Sequence, residues 1–197
     1  MKKEIPKYKL VERQGLHYEV NSTTPFTGNT VDYHENGPLK ETRNYKNGEL
    51  HGFWEYYHEN GQLGGKGNYK NGKEEGLFEE FFENGQLEYT ENHKNGEKHG
   101  LSEYYYDEDG QLEHTENFKN GKSDGLFQGY YKNGQLNTRY NNKNGKFHGH
   151  WEWFYEDGQL EIRRNYNNGE PDGLWEYFDE DDNLTKTEEW KDGELIE

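Results

Sequence analysis

The chain has no cysteine, only four prolines and a single methionine in 197 residues. Without cysteine it can form neither a disulfide nor a thiolate metal site. It also has no long apolar run that could form a membrane-spanning helix, and its start, Met1–Lys7, lacks the apolar stretch of a secretory signal. The lack of cysteine leaves the redox compartment open, and the lack of a signal and of a spanning helix predicts a cytoplasmic protein.

Hydrophobic residues are scarce. They make up 27% of the chain, with a net charge of -17 and a mean hydropathy of -1.54, values typical of disordered proteins. However, 16% of the residues are aromatic, each able to bury roughly 150–250 Å², and they recur in phase. We therefore expect an ordered chain. Because the apolar residues are spread evenly, an array of units packed on their neighbours is favoured over one compact core.

The charge balance restricts the partners. Forty acidic residues against 23 basic ones should repel nucleic acid and anionic lipid and attract basic proteins. The alternative is that the acidity serves solubility alone, because a thin, exposed sheet needs charge to avoid association. The sequence leaves both interpretations open.

One stretch, Gly76–His99 (GLFEEFFENGQLEYTENHKNGEKH), is repeated along the chain. With Gly76 as position 0, aromatic residues fall at +2 and +5, Asn-Gly at +8, Leu at +11 and a second Asn-Gly at +19. The spacing is 24 residues, with one extra residue before the first turn of the fourth unit. A fixed period of this size indicates an array of supersecondary units. The seven predicted repeats are 28–51, 52–75, 76–99, 100–124, 125–148, 149–172 and 173–197.

Turn dipeptides punctuate every repeat. Of fourteen slots, ten hold Asn-Gly, three hold Asp-Gly, and Asp181-Asp182 is the exception. Asn-Gly favours the two-residue type I′ turn, which joins antiparallel strands. A turn every 11–13 residues predicts an all-β, uninterrupted antiparallel meander of hairpins. At about 4.8 Å per strand, it would form an elongated ribbon of roughly 70 Å.

Residues 1–27 precede the first repeat. Lys9–Arg13 and His17–Val20 have the composition of short strands, with Gln14-Gly15 as the turn between them. A polar linker ending in Pro25 follows. We predict that this segment caps the open edge of the first repeat.

The alternation of side chains leaves the buried face undecided. Positions +1, +5, +11 and +17 are the most consistently apolar set, and the +2 aromatics should point to the opposite face unless the opening glycine marks a bulge. Both faces carry aromatic residues in either case. Two repeats have His93 and Asn142 in place of an aromatic at +17, which should weaken packing there.

The repeat resembles the variant class of MORN repeat, through the pattern Gly-x-Trp-x-x-Tyr-x-x-Asn-Gly-x-Leu and the lead-in Pro25-Phe26-Thr27-Gly28. The resemblance covers residues 25–197. It implies an extended sheet of hairpins without catalytic residues or cofactors. Many bacterial members are antitoxins; other MORN proteins are scaffolds, some of them associated with membranes. The loop Asp179–Asn183 and Ser102 at a +2 position depart from the pattern and put only local packing in doubt.

No motif in the chain indicates an enzyme or a metal site. His51, His99 and His148 share the slot before an opening glycine, which holds Glu75, Asp124 or Asp172 in other repeats, so we expect an exposed polar position. The acidic runs 107–109 and 179–182 lack the ligand spacing of a calcium loop and are interpreted as turns. Ser22, Ser102 and Ser123 lie in no nucleophile elbow.

A partner-binding surface is the remaining candidate site. Acidic residues at +3 would form a carboxylate ladder beside tyrosine and tryptophan, which are frequent interface anchors. The alternative is that these glutamates only flank buried rings. We predict a non-enzymatic antitoxin or immunity protein that occludes a basic, nucleic-acid-acting toxin; the alternative is a structural or adhesive scaffold peripheral to a membrane. The predicted contact residues are Glu55, Glu79, Glu103, Glu152, Glu176, Trp54, Tyr56, Tyr104, Trp151, Trp153, Trp175 and Tyr177.

Overall fold

The computed structural model describes residues 3–107 and 109–197, which divide into two compact units between Glu97 and Lys98. Met1 and Lys2 of the predicted start, and Glu108 of the predicted turn at 107–109, lie outside the described residues. Apart from one 3₁₀ turn at Lys7–Lys9, the regular structure of the described residues is β.

The first unit is a meander preceded by a small cap. Within it, β4, β5, β6, β7, β9 and β10 pair in succession, each antiparallel to the next. Its strands are β1 (Glu4–Pro6), β2 (Leu10–Arg13), β3 (Leu16–Glu19), β4 (Gly28–Tyr33), β5 (Leu39–Lys46), β6 (Glu49–Tyr57), β7 (Leu63–Lys70), β8 (Lys73–Glu74), β9 (Gly76–Phe81) and β10 (Leu87–Lys94).

The second unit is a meander of the same kind. After β11 (Glu97–Lys98), its strands are β12 (Gly100–Tyr105), β13 (Leu112–Lys119), β14 (Lys122–Tyr130), β15 (Leu136–Lys143), β16 (Lys146–Phe154), β17 (Leu160–Asn167), β18 (Glu170–Pro171), β19 (Gly173–Phe178), β20 (Leu184–Lys191) and β21 (Glu194–Leu195). From β12 to β17, and from β17 through β19 to β20, each strand pairs antiparallel with the next. The predicted all-β antiparallel meander of hairpin repeats is confirmed.

The cap differs in detail from the prediction. The hairpin β2–β3 is present, with Gln14 and Gly15 in the left-handed region at its turn. The strand that pairs with the edge of the first repeat is instead β1, which runs parallel to β4 and was not predicted. Ile5 of β1 packs with Phe26 and Tyr45 in a small buried cluster. The cap therefore protects the edge and supplies a local core.

The two Asn-Gly slots of a repeat form different turns. At the second slot both residues have positive φ, as in Asn47 (51°) and Gly48 (85°), which is the type I′ geometry. At the first slot only the glycine does, as in Gly61 (83°). There the side chain of Asn60 accepts a hydrogen bond from the Gln62 amide (2.9 Å). The expectation of a type I′ turn at every slot is therefore wrong for the first slot, whose loop is longer.

The exceptional turn of the last repeat keeps this longer loop. Asp182 occupies the glycine position with φ 62°. Asp179 Oδ1 accepts hydrogen bonds from the amides of Asp181 (3.1 Å) and Asn183 (2.9 Å). Chiefly because of the Asn183 amide, the pKa of Asp179 is lowered. Side-chain acceptors thus support the loop without glycine.

The opening glycine does mark a bulge, but the buried face is set by the strand register within the hairpin. Gly52 has φ 108°, and the pairing of β5 with β6 shifts from Arg43–Trp54 to Tyr45–Leu50 around it. Within the hairpin, Trp54 lies opposite Gly67 and Gly52 lies opposite Tyr69, so the +2 and +17 aromatics share a face. The +1 side chains lie on the other face, where Phe53 is 74% exposed. The apolar set at +1, +5, +11 and +17 is therefore not a single face.

Candidate functional site

One face of the first unit carries closely packed rings at the +2, +4 and +17 positions, and we call this surface of either unit the aromatic face. Trp54 lies 5.4 Å from Tyr56 and 6.2 Å from Phe78 between ring centroids, and Tyr69 meets Phe78 edge-on at 5.5 Å. The rings lie against glycine backbone: a Cβ at Gly67 would be 2.2 Å from the Phe78 ring. At Gly67, repeat 2 therefore presents backbone without a side chain, and the Phe78 ring packs directly on it.

The aromatic face of the second unit is a longer series of rings. Phe127 stacks on Tyr140 at 4.5 Å, and Trp151 stacks on Trp153 at 4.1 Å. Burial, with a smaller contribution from Glu116, raises the pKa of Tyr140 to about 12. Further ring contacts on this face join Tyr104 to His114, His114 to Phe127, Tyr166 to Trp175, and Trp175 to Trp190.

An arginine is inserted among these rings. The Arg164 guanidinium carbon lies 4.5 Å from the ring centroid of Trp175, 5.2 Å from that of Trp153 and 5.7 Å from that of Tyr177. Such cation–π contacts contribute about 0.5–2 kcal/mol each, depending on exposure. The aromatic face can therefore hold a guanidinium group.

The predicted glutamate ladder lies on the opposite face, and basic residues interrupt it. In the first unit, Lys66 stands between Glu55 and Glu79 and bonds to Glu79 Oε2 at 2.9 Å. In the second unit, the row runs Arg139, Glu152, Arg163, Glu176 across successive strands.

This second row is a network of ion pairs. Glu152 accepts hydrogen bonds from Arg139 and Arg163, and Arg163 also donates to Glu176 at 3.2 Å. Burial opposes ionisation of Glu152, but the two arginines outweigh it, so its pKa is lowered. The row is therefore closer to neutral than a ladder of glutamates alone.

The predicted contact residues thus fall into two groups that do not meet. Trp54, Tyr56, Tyr104, Trp151, Trp153, Trp175 and Tyr177 belong to the aromatic faces of their units. The five +3 glutamates belong to the reverse faces, where Glu55 and Glu103 accept hydrogen bonds from the hydroxyls of Tyr57 and Tyr105. One surface cannot use both groups at once.

Sequence analysis missed a buried carboxylate beside Trp54. Glu41 accepts hydrogen bonds from Lys7 (2.8 Å), Arg43 (2.7 Å) and the Trp54 indole (2.9 Å). Burial opposes its ionisation, but these donors outweigh burial and lower its pKa. A signal was available, because Glu41 and Arg43 are alternate residues of a predicted strand and so share a face.

The slot that holds histidine or an acid before each opening glycine has a structural role. Its side chain accepts a hydrogen bond from the backbone amide twenty residues on, at the second turn: Asp124 from Asn144 at 2.9 Å, and His51 from Asn71 at 3.4 Å. Thr27 and Glu75 do the same, whereas the buried Nδ1 atoms of His99 and His148 in this slot have no hydrogen-bond partner. The slot is thus partly buried rather than simply exposed. No three His, Asp or Glu side chains of the described residues are placed to hold a metal ion.

The profile of the family described as MORN repeat variant matches seven consecutive segments: 26–47, 50–71, 74–95, 98–120, 123–146, 147–168 and 171–192. The chain belongs to this family. Each MORN match begins two residues before an opening glycine. MORN repeats indicate a repeat protein that binds proteins or membranes, and the family is in general non-catalytic. No curated protein is significantly similar to the chain. The described residues include no helix with the length and apolarity needed to cross a bilayer.

Proposed function

We propose that the chain is a bacterial, cytoplasmic, non-enzymatic antitoxin that binds a basic, nucleic-acid-acting toxin and occludes its substrate groove. The observation that carries the proposal is a surface of partly buried tyrosine and tryptophan rings on a protein with 40 acidic and 23 basic residues. A nucleic-acid-acting toxin needs a basic groove for phosphates, and a strongly acidic protein is attracted to it.

The aromatic face is the better candidate for contact. Lysine and arginine side chains of the same chain already form ion pairs with three of the +3 glutamates, which therefore offer little free charge to a partner: Glu79, Glu152 and Glu176. The aromatic face combines Trp54 and Tyr56 with nearby carboxylates such as Glu80. Aromatic anchors surrounded by charge complementary to the partner are typical of tight interfaces.

A capture experiment tests this proposal. Tagged protein is used to isolate partners from its native cells at moderate salt, with the variants Glu80→Lys and Glu79→Lys in parallel. These neighbours in sequence lie on opposite faces. We expect one stoichiometric basic polypeptide, lost at high salt and with Glu80→Lys but retained with Glu79→Lys. The purified partner should degrade or modify nucleic acid and be inhibited at equimolar ratio.

Other outcomes contradict the proposal. A partner with an acidic surface, or a complex insensitive to salt, removes its electrostatic basis. Co-migration of the protein with liposomes in a flotation assay without divalent cations would instead favour the scaffold alternative. The net charge of -17 disfavours binding to anionic membranes.

A further inference from the structure

A small cavity opens on the aromatic face of the first unit. Its walls are the rings of Trp54, Tyr69 and Phe78, and the carboxylates of Glu74 and Glu80 line it. Its volume is about 120 Å³. This exceeds the roughly 10–15 Å³ that a single water molecule needs, so a small side-chain group can enter the cavity.

The cavity is acidic. Glu91 also lines it, which makes three carboxylates, and no lysine or arginine is among the described lining residues. Glu80 accepts a hydrogen bond from the Tyr56 hydroxyl at 2.6 Å. Burial raises the pKa of Glu80 despite that bond, whereas Glu41, which has two basic partners, has a lowered pKa. Glu80 thus lacks the basic partners that Glu41 has.

A buried histidine beside the carboxylates points independently to a missing polar group. The side chain of His93 is only 9% exposed, and its ring packs against Phe78 at 5.1 Å. Its Nε2 lies 3.5 Å from Glu74, but its buried Nδ1 has no hydrogen-bond partner. Buried nitrogen atoms in proteins are nearly always hydrogen-bonded, so an unpaired nitrogen in a cavity wall offers a hydrogen-bonding site to a water molecule or to a ligand group that enters the cavity.

The chain itself shows which group fits beside such rings. At position +15, repeat 1 places Arg43 next to Trp54, and repeat 6 places Arg164 against Trp175. Repeat 2 has Gly67 at +15, so it contributes no cation between Trp54 and Phe78. The aromatic walls and carboxylates are retained, and the basic residue is absent at this position.

We infer that this cavity binds the guanidinium group of an arginine side chain presented by a basic protein partner. A guanidinium has four non-hydrogen atoms, stacks on aromatic rings and donates in a planar fork to carboxylates. The inference deepens the proposed function and rests on it, because it names the chemistry by which the aromatic face recognises its partner.

Titration of the full chain with Nα-acetyl-L-arginine methylamide, followed by NMR, tests the inference. We expect weak saturable binding that shifts the Trp54 indole N–H signal, and weaker binding of the matched lysine derivative. Glu80→Gln retains an acceptor for Tyr56 and should reduce affinity at least tenfold. Glu79→Gln, on the reverse face, should change affinity less than twofold.

The outcomes separate the alternatives. If the wild-type chain shows no shift, or if Glu80→Gln and Glu79→Gln bind with equal affinity, the cavity is not the binding site. Equal or tighter binding of the lysine derivative would show that the cavity does not select a guanidinium group. Tighter binding of free L-arginine would show that the ligand is the free amino acid and not an arginine side chain of a protein. If a basic toxin is captured but the arginine derivative does not bind, only the cavity fails. If the derivative binds but no toxin is captured, only the proposed function fails.

Discussion

Arg163 lies directly opposite Glu152 on the neighbouring strand, and its Nε donates to Glu152 Oε1 at 3.1 Å. The same arginine reaches Glu176, so it links two of the glutamates predicted to form the carboxylate ladder. The reverse face of the second unit is thus held together by alternating charges, and its glutamates contribute to the stability of the sheet.

Glu152→Gln should destabilise the protein by about 2 kcal/mol, the usual scale for hydrogen bonds to charged groups. Glu152 is only 7% exposed and accepts bonds from two arginines, so the change weakens both pairs. The urea midpoint measures the effect. Glu156→Gln, at a solvent-exposed turn, is the matched control and should shift the midpoint little. Equal midpoints for the two variants would contradict a structural role for the row.

Acid should weaken the fold through Glu41 and Glu152. Both have a folded pKa below the ordinary value of 4.5. A carboxylate with a lowered pKa contributes its full stability above about pH 4.5, and that contribution is lost as the pH falls through the folded pKa. We expect the free energy of unfolding to decline below that pH, and to decline less steeply in Glu152→Gln. An identical slope in the variant would disprove the assignment.

Gly67→Ala should destabilise the first unit by about 1–3 kcal/mol, because the added methyl group overpacks the aromatic face. The new Cβ would lie 2.2 Å from the ring of Phe78, which is 6% exposed and cannot move freely. Gly129→Ala is the control, since its nearest contact is 3.2 Å to a Thr138 methyl group. Denaturant unfolding should separate the two; a larger loss for Gly129→Ala would refute the packing argument.

Asp182→Gly should stabilise the last repeat by about 0.5–1 kcal/mol. The left-handed conformation costs an L-residue roughly 1–2 kcal/mol, less for aspartate, and glycine adopts it freely. The reverse change, Gly61→Asp, should destabilise by a similar amount, because open space surrounds that glycine and only φ (83°) is unfavourable. Thermal unfolding of both variants checks the sign; a lower midpoint for Asp182→Gly would count against it.

The hairpin repeats were predictable because Asn-Gly turns and in-phase aromatic residues are local signals. The geometry of each turn was not. Asn47 and Asn60 begin the same dipeptide, but only Asn47 has positive φ. The difference depends on how the flanking strands pair, since the first turn closes a longer loop with a bond from the His58 amide to the Gln62 carbonyl.

The residue types of the predicted contact surface could be read from the sequence, but their division between two opposite faces could not. The strand register within each hairpin sets which side chains share a face, and composition does not reveal it. The basic residues between the glutamates could have been found, because Lys66, Arg139 and Arg163 all occupy position +14, opposite a +3 glutamate. The acidic cavity depends on rings from two repeats, which become neighbours only through the strand register.

Side chains at the first turns bond to the repeat that follows, twenty-three residues on. Asn60 donates to the Glu83 carbonyl, Asn133 to that of Glu156, and Tyr131 to that of Phe154. Because such bonds join only adjacent hairpins, each hairpin within a unit relies on its immediate neighbours for stability. Under a pulling force, the protein should therefore come apart one hairpin at a time. Each rupture should release about 80 Å of chain, the extended length of one 24-residue repeat.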